Sequence, residues 1–217
     1  FQVACSGRPG PVVLALPEDM LLDTALPSAI RPFKTVQASP SPDEISQLVA
    51  RLESAERPLL LLGGAGWDVT SCNQMAAFAE LNELPIACAF RFQDLLDNEH
   101  SNYIGDVGVG INPALARRIR SSDLLVAIGP RLGEMTTGGY TLIDAPVPQL
   151  PLVHVHAGAE ELGSVYQAEL MINSGMRNFA AALARLPRLE RSEKRRMFTE
   201  EARRDYLRWT SRVEIDA

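Results

Sequence analysis

Two glycine-rich turns carry the residue types that could do chemistry. Gly63-Gly64-Ala65-Gly66 follows the apolar run Leu59 to Leu62. A turn of that kind lets backbone N–H groups approach a phosphate beside the N-terminus of the next helix. Val69 stands where the third glycine of Gly-x-Gly-x-x-Gly belongs, so the turn stays open to two readings, a phosphate cradle or a structural turn. Gly129-Pro130-Arg131-Leu132-Gly133 closes another apolar run, at the strand end where parallel sheets gather their ligands. Arg131 there faces either an anionic ligand or a carboxylate of the chain itself. Gly63, Gly64, Gly66, Arg131 and Gly133 together form the candidate nucleotide site. The polar loop Glu134 to Tyr140 reads as a lid over it or as a contact surface.

Other chemistry is poorly provided for. His154 and His156 alternate along an apolar run, so both point to one face of a strand. No third ligand stands at a convincing position, which favours structural histidines over a metal site. Gly105-Asp106-Val107-Gly108 lacks the arrangement of a magnesium-diphosphate site, and no paired asparagines follow it. There is no Gly-x-Ser-x-Gly elbow and no P-loop lysine. No catalytic residue and no metal ligand is assigned.

The elements that must position these turns alternate. Ser41-Pro42-Asp43-Glu44 is a capping box with proline at the first helical position. Ile45, Leu48, Val49 and Leu52 then recur at helical spacing, on a helix ending near Arg57-Pro58. Strands are expected at 59–62, 85–90, 124–128, 152–157 and 170–172. Between them lie helices over 71–84, with Met75, Phe78 and Leu81 inward, and from Asn112-Pro113, with Leu115 and Ile119 inward. A last helix after Ser174 buries Met176, Phe179, Leu183 and Leu186. Uniformly apolar strands between amphipathic helices predict an α/β, Rossmann-like, doubly wound parallel sheet of about five to six strands with helices on both faces.

The flanks differ. Residues 11–17, between prolines, read as a buried strand belonging to a sheet upstream of Phe1, and residues 21–40 as a proline-rich linker. In 188–217, nine Lys/Arg interleave with seven Asp/Glu, and Phe198, Ala202, Tyr206, Trp209 and Val213 share one helical face. An aromatic stripe on a charged helix needs a surface to cover, either its own domain or the next one. The interleaved acids argue against membrane or nucleic-acid roles.

Composition supports the same exclusions. With 27 acidic against 21 basic residues and a net charge of −6, binding of nucleic acid through bulk charge is disfavoured. No apolar run approaches the ~20 residues of a membrane span. Cys5, Cys72 and Cys88 lie far apart without a Cys-x-x-Cys pair, which fits a reducing cytoplasm. The N-terminus lacks the basic-then-apolar pattern of a signal peptide. A chain opening at Phe1 without methionine reads as a slice of a longer polypeptide.

Ser6-Gly7-Arg8-Pro9-Gly10-Pro11-Val12-Val13-Leu14 through Leu16-Pro17-Glu18-Asp19 resembles the segment closing the pyrimidine-binding domain of thiamine-diphosphate-dependent enzymes such as acetohydroxyacid synthase. Residues 57–64, 122–131 and 153–163 are similar to that family's central domain, the last to its His-x-Asp-x-Asp-Pro-x-Glu-x-Gly strand. There His156 and Gly158 replace the two aspartates, while Glu161 and Gly163 stay in register.

The resemblance implies a division of the chain. Residues 1–20 would end the pyrimidine-binding domain, 21–40 link, 41–187 form the central domain, and 188–217 lead toward the diphosphate-binding domain. It also implies that the catalytic glutamate lies before Phe1 and the magnesium-diphosphate motif after Ala217. The central domain would then be inactive alone, scaffolding its neighbours in a homo-oligomeric lyase or transferase that uses thiamine diphosphate and Mg²⁺. Replacement of the ribose-holding carboxylate counts against FAD or ADP binding. A nucleotide-binding Rossmann-like module holding FAD, NAD or ADP remains the alternative, and a freestanding interaction protein using the 191–213 helix a third.

Overall fold

The structure, a computed structural model, describes residues 1–26 and 29–211. After a short α1 (Gln2–Cys5) and an extended stretch, α2 (Pro42–Ser54) opens on the expected capping box. The Ser41 hydroxyl accepts from the Glu44 amide and the Glu44 carboxylate from the Ser41 amide. Six parallel strands follow: β1 (Pro58–Leu62), β2 (Ile86–Ala89), β3 (Tyr103–Val107), β4 (Leu124–Ile128), β5 (Leu152–His156) and β6 (Leu170–Asn173). Their spatial order is β3-β2-β1-β4-β5-β6. That is the doubly wound order whose direction of winding reverses between β1 and β4.

The period of two along each strand sorts side chains to two faces. On one face Leu60, Leu62, Val126, Ile128, Val153 and Val155 pack under α2, α3 (Val69–Asn82) and α5 (Met176–Leu183). On the other, Leu59, Leu61, Leu125, Ala127 and Leu152 meet α4 (Pro113–Ser121) and the 132–150 loop. Both faces are covered, so β1, β2 and β4 read as unbroken apolar runs.

Several expectations need correction. The structure adds β3 to the five expected strands; Gly105 and Asp106 break its apolar run. Residues 11–17, expected to pair with a sheet outside this chain, are unpaired among the described residues, with Val12, Val13, Leu14 and Leu16 exposed. Helix α2 stops at Ser54, short of Arg57. Leu81 points outward, and Asn82 takes the inward position in the last turn of α3, its amide donating to the Phe78 carbonyl.

The charged tail forms α6 (Glu193–Thr210), which docks on its own domain along α4 and β3. Phe198 and Ala202 are buried, and Tyr206 meets Tyr103 edge-to-face at 5.1 Å. Arg203 donates to the Tyr103 and Asn98 carbonyls, so α6 shields the edge strand of the sheet. Trp209, expected on the buried stripe, is 56% exposed, and Val213 lies outside the described residues. No described helix is long and apolar enough to cross a membrane.

Candidate functional site

The two glycine turns meet at the reversal point. A Cβ on Gly64, whose φ is +71°, would overlap the Gly129 carbonyl oxygen. Likewise a Cβ on Gly129, at φ +88°, would overlap the Gly63 carbonyl. Glycine at both positions is what lets the β1 and β4 turns cross in contact. Beyond them opens a groove of about 540 Å³ lined by Gly64, Gly129, Arg131, Gly133, Phe90 and Arg8 among others, large enough for a small ligand. Met135, Thr136 and Tyr140 bring the expected polar loop to its wall.

The candidate residues divide accordingly. Gly64, Arg131 and Gly133 line the groove, whereas Gly63 and Gly66 do not. Gly63 packs against Ala89 and Pro130, and its carbonyl accepts from the Trp67 indole at 2.8 Å. Gly66 takes a left-handed φ of +94° facing open space.

The donors that would hold a phosphate are engaged by the chain's own carboxylates. The Asp68 carboxylate caps α3, accepting from the Ser71 amide at 2.8 Å, while the Asp68 amide donates to Ser71 Oγ at 2.9 Å. These bonds, aided by Arg177 at 3.1 Å, hold the Asp68 carboxyl below its ordinary range. Arg131 pairs with Glu161 at 3.3 Å, and Arg8 reaches the other oxygen of the same carboxylate at 2.7 Å. The sequence offered two partners for Arg131, and the structure supplies the internal carboxylate. A dinucleotide diphosphate needs a free helix terminus and unpaired cations. The residues present do not fit FAD or ADP.

Both histidines are buried on the face of β5 shared with Leu152, with ring centroids 6.0 Å apart. His154 Nε2 lies 3.1 Å from the Pro130 carbonyl, and His156 Nδ1 lies 3.0 Å from Gly158 N. Burial pushes the His154 pKa down to about 4, so at neutral pH the ring is uncharged and bridges β5 to the Arg131 turn. Among the described residues no three His, Cys, Asp or Glu side chains come together as a metal site. Sequence reasoning gave no site role to Arg8 and Pro9, which line the groove, or to Glu161 beside it. Arg8 and Glu161 are 153 residues apart, and no local pattern joins them.

Comparison with known proteins places this geometry. The family described as "Thiamine pyrophosphate enzyme, central domain" matches residues 45–183. The chain is 29% identical over 201 residues to the acetolactate synthase large subunit of Corynebacterium glutamicum, covering 89% of this chain and 31% of that protein. It is 26% identical over 186 residues to acetolactate synthase isozyme 2 large subunit of Escherichia coli, covering 84% and 33%. It thus spans about a third of the length of these curated relatives. Benzoylformate decarboxylase from Polynucleobacter necessarius shares the fold, with a TM-score of 0.70 at 21% identity over 88% of this chain and 35% of that one. The α/β layer of β1–β6, with its glycine crossing between β1 and β4, belongs to the thiamine pyrophosphate enzyme central-domain family.

Proposed function

We propose that this chain serves as the non-catalytic central domain of an acetolactate synthase-like enzyme, a lyase or transferase acting on 2-oxoacids in the cytoplasm. Thiamine diphosphate, when bound with Mg²⁺ by the flanking domains, supplies the carbanion chemistry for breaking or making a C–C bond beside a carbonyl. The contribution of these residues is mechanical: a rigid parallel sheet that spaces the two cofactor-binding domains of a homo-oligomer. Residues 1–20 would complete the preceding domain, 21–40 would link it to residues 41–187, and 188–217 would lead toward the diphosphate-binding domain.

The observation that carries this reading is the groove at the sheet's reversal point. Its turns are fixed by glycine contact, and its arginines are tied to Glu161. Such a site holds the domain in shape and presents no reactive group. The exposed apolar run Val12, Val13, Leu14 and Leu16 fits a strand that pairs outside this domain. The test is an assay of the longer gene product with a panel of 2-oxoacids, with and without thiamine diphosphate and Mg²⁺. Turnover that requires both supports the proposal; turnover unchanged after both are removed refutes it.

A further inference from the structure

The groove at the β1–β4 reversal holds four charged side chains on or beside its wall: Arg8, Arg131, Glu134 and Glu161. Their formal charges sum to zero. Glu161 pairs with both arginines; its side chain is 11% exposed, and its two oxygens are divided between Arg8 and Arg131. The 3₁₀ turn Ala159–Glu161 fixes its backbone, with the Glu161 amide donating to the Gly158 carbonyl. Around Arg8 the chain is laid over the same strand end. Gly7 lies against Ala157 and Gly158, and Arg8 and Pro9 cover His156 and Gly129.

We propose that Glu161 is a built-in anion that takes the place of a ligand's phosphate. It latches the Gly7–Pro9 segment across the mouth of the groove and excludes nucleotides. Glu161 lies against one nitrogen of each guanidinium and offsets the positive charge that a diphosphate would need. A third anion arriving there meets Glu134 and Glu161 with no surplus cation to offset them. The latch also couples two ends of the sequence, so the segment before α2 is held to the strand-end loop of β5.

The probes are ADP and inorganic pyrophosphate, titrated by calorimetry into the 217-residue chain and into Glu161→Gln. The wild-type chain should show no heat at millimolar probe. Glu161→Gln frees both arginines and should bind at least ~10-fold more tightly than wild type. Micromolar binding by the wild type overturns the proposal. So does a folded Glu161→Gln that stays as unresponsive as wild type. A second reading does not depend on that variant folding. Arg8→Met removes an exposed side chain and should speed amide exchange at Gly7 and Gly10 by ~10-fold or more; unchanged exchange there removes the latch.

Discussion

Truncating Arg195 is the sharpest stability prediction. Its side chain is 1% exposed and, among the described residues, lies in no ion pair. Nε donates to the Asn82 carbonyl at 2.9 Å, Nη1 to Leu52 at 3.4 Å and Nη2 to Glu190 at 2.5 Å. Asn82 ends α3 and Leu52 lies in the last turn of α2, so one guanidinium ties α6 to two helix C-termini. Their dipoles favour a cation there. Burial nonetheless lowers the Arg195 pKa, opposed by the nearby Glu83 and Glu53 charges.

Replacing Arg195 with Met keeps the apolar stem but leaves the Asn82 and Leu52 carbonyls without this donor, while Glu190, being exposed, can turn to water. Each charge-assisted bond lost is worth about 1.5–3 kcal/mol. Two of them, less the relieved cost of burying the charge, give a net loss of about 2–4 kcal/mol. At roughly 2–4 °C per kcal/mol for a chain of this size, the Tm should fall by about 5–15 °C. Urea denaturation followed by circular dichroism reads the free energy, and limited proteolysis at α6 reads the detachment. A loss below about 0.5 kcal/mol, the range of ordinary surface changes, would refute the argument that Arg195 fastens α6.

Three further outcomes follow from the same geometry. Gly64→Ala should destabilise by about 3 kcal/mol or more, because it adds a left-handed backbone penalty to overlap with the Gly129 carbonyl; a soluble variant with unchanged urea midpoint would contradict the crossing. His154, held near pKa 4 in the fold against an ordinary 6.5, leaves the unfolded chain binding the extra proton between those values. Its contribution is therefore complete above pH 6.5 and lost as pH falls toward 4, by roughly 3 kcal/mol, and His154→Gln should flatten that part of the stability–pH curve. Cys88, buried with its thiol pushed up to about 12, should resist alkylation at pH 8 in the native state and react on unfolding, read by peptide mass spectrometry.

Legibility in the sequence followed how local each physical cause is. Strands β1, β2 and β4 stood out because burial on both faces demands apolar side chains at every position, and β5 and β6 because apolar residues still dominate them. The edge strand β3 did not, because Gly105 and Asp106 interrupt its apolar run; its outer side is closed by α6, whose Arg203 takes the Tyr103 carbonyl. Arg131 was found from its place at the end of β4. Arg8 and Glu161 were visible in the family register, but their pairing with each other and with Arg131 emerged only from the folded chain. Arg195 sits in a run of charged residues, where nothing local separates a buried fastener from its solvated neighbours.

The most direct test of the account is calorimetric titration of thiamine diphosphate with Mg²⁺ into the 217-residue chain. A scaffold whose cofactor contacts lie on other domains predicts no binding heat at micromolar cofactor. A micromolar dissociation constant on this chain alone would mean that it carries a cofactor site of its own, and the scaffold reading would fall.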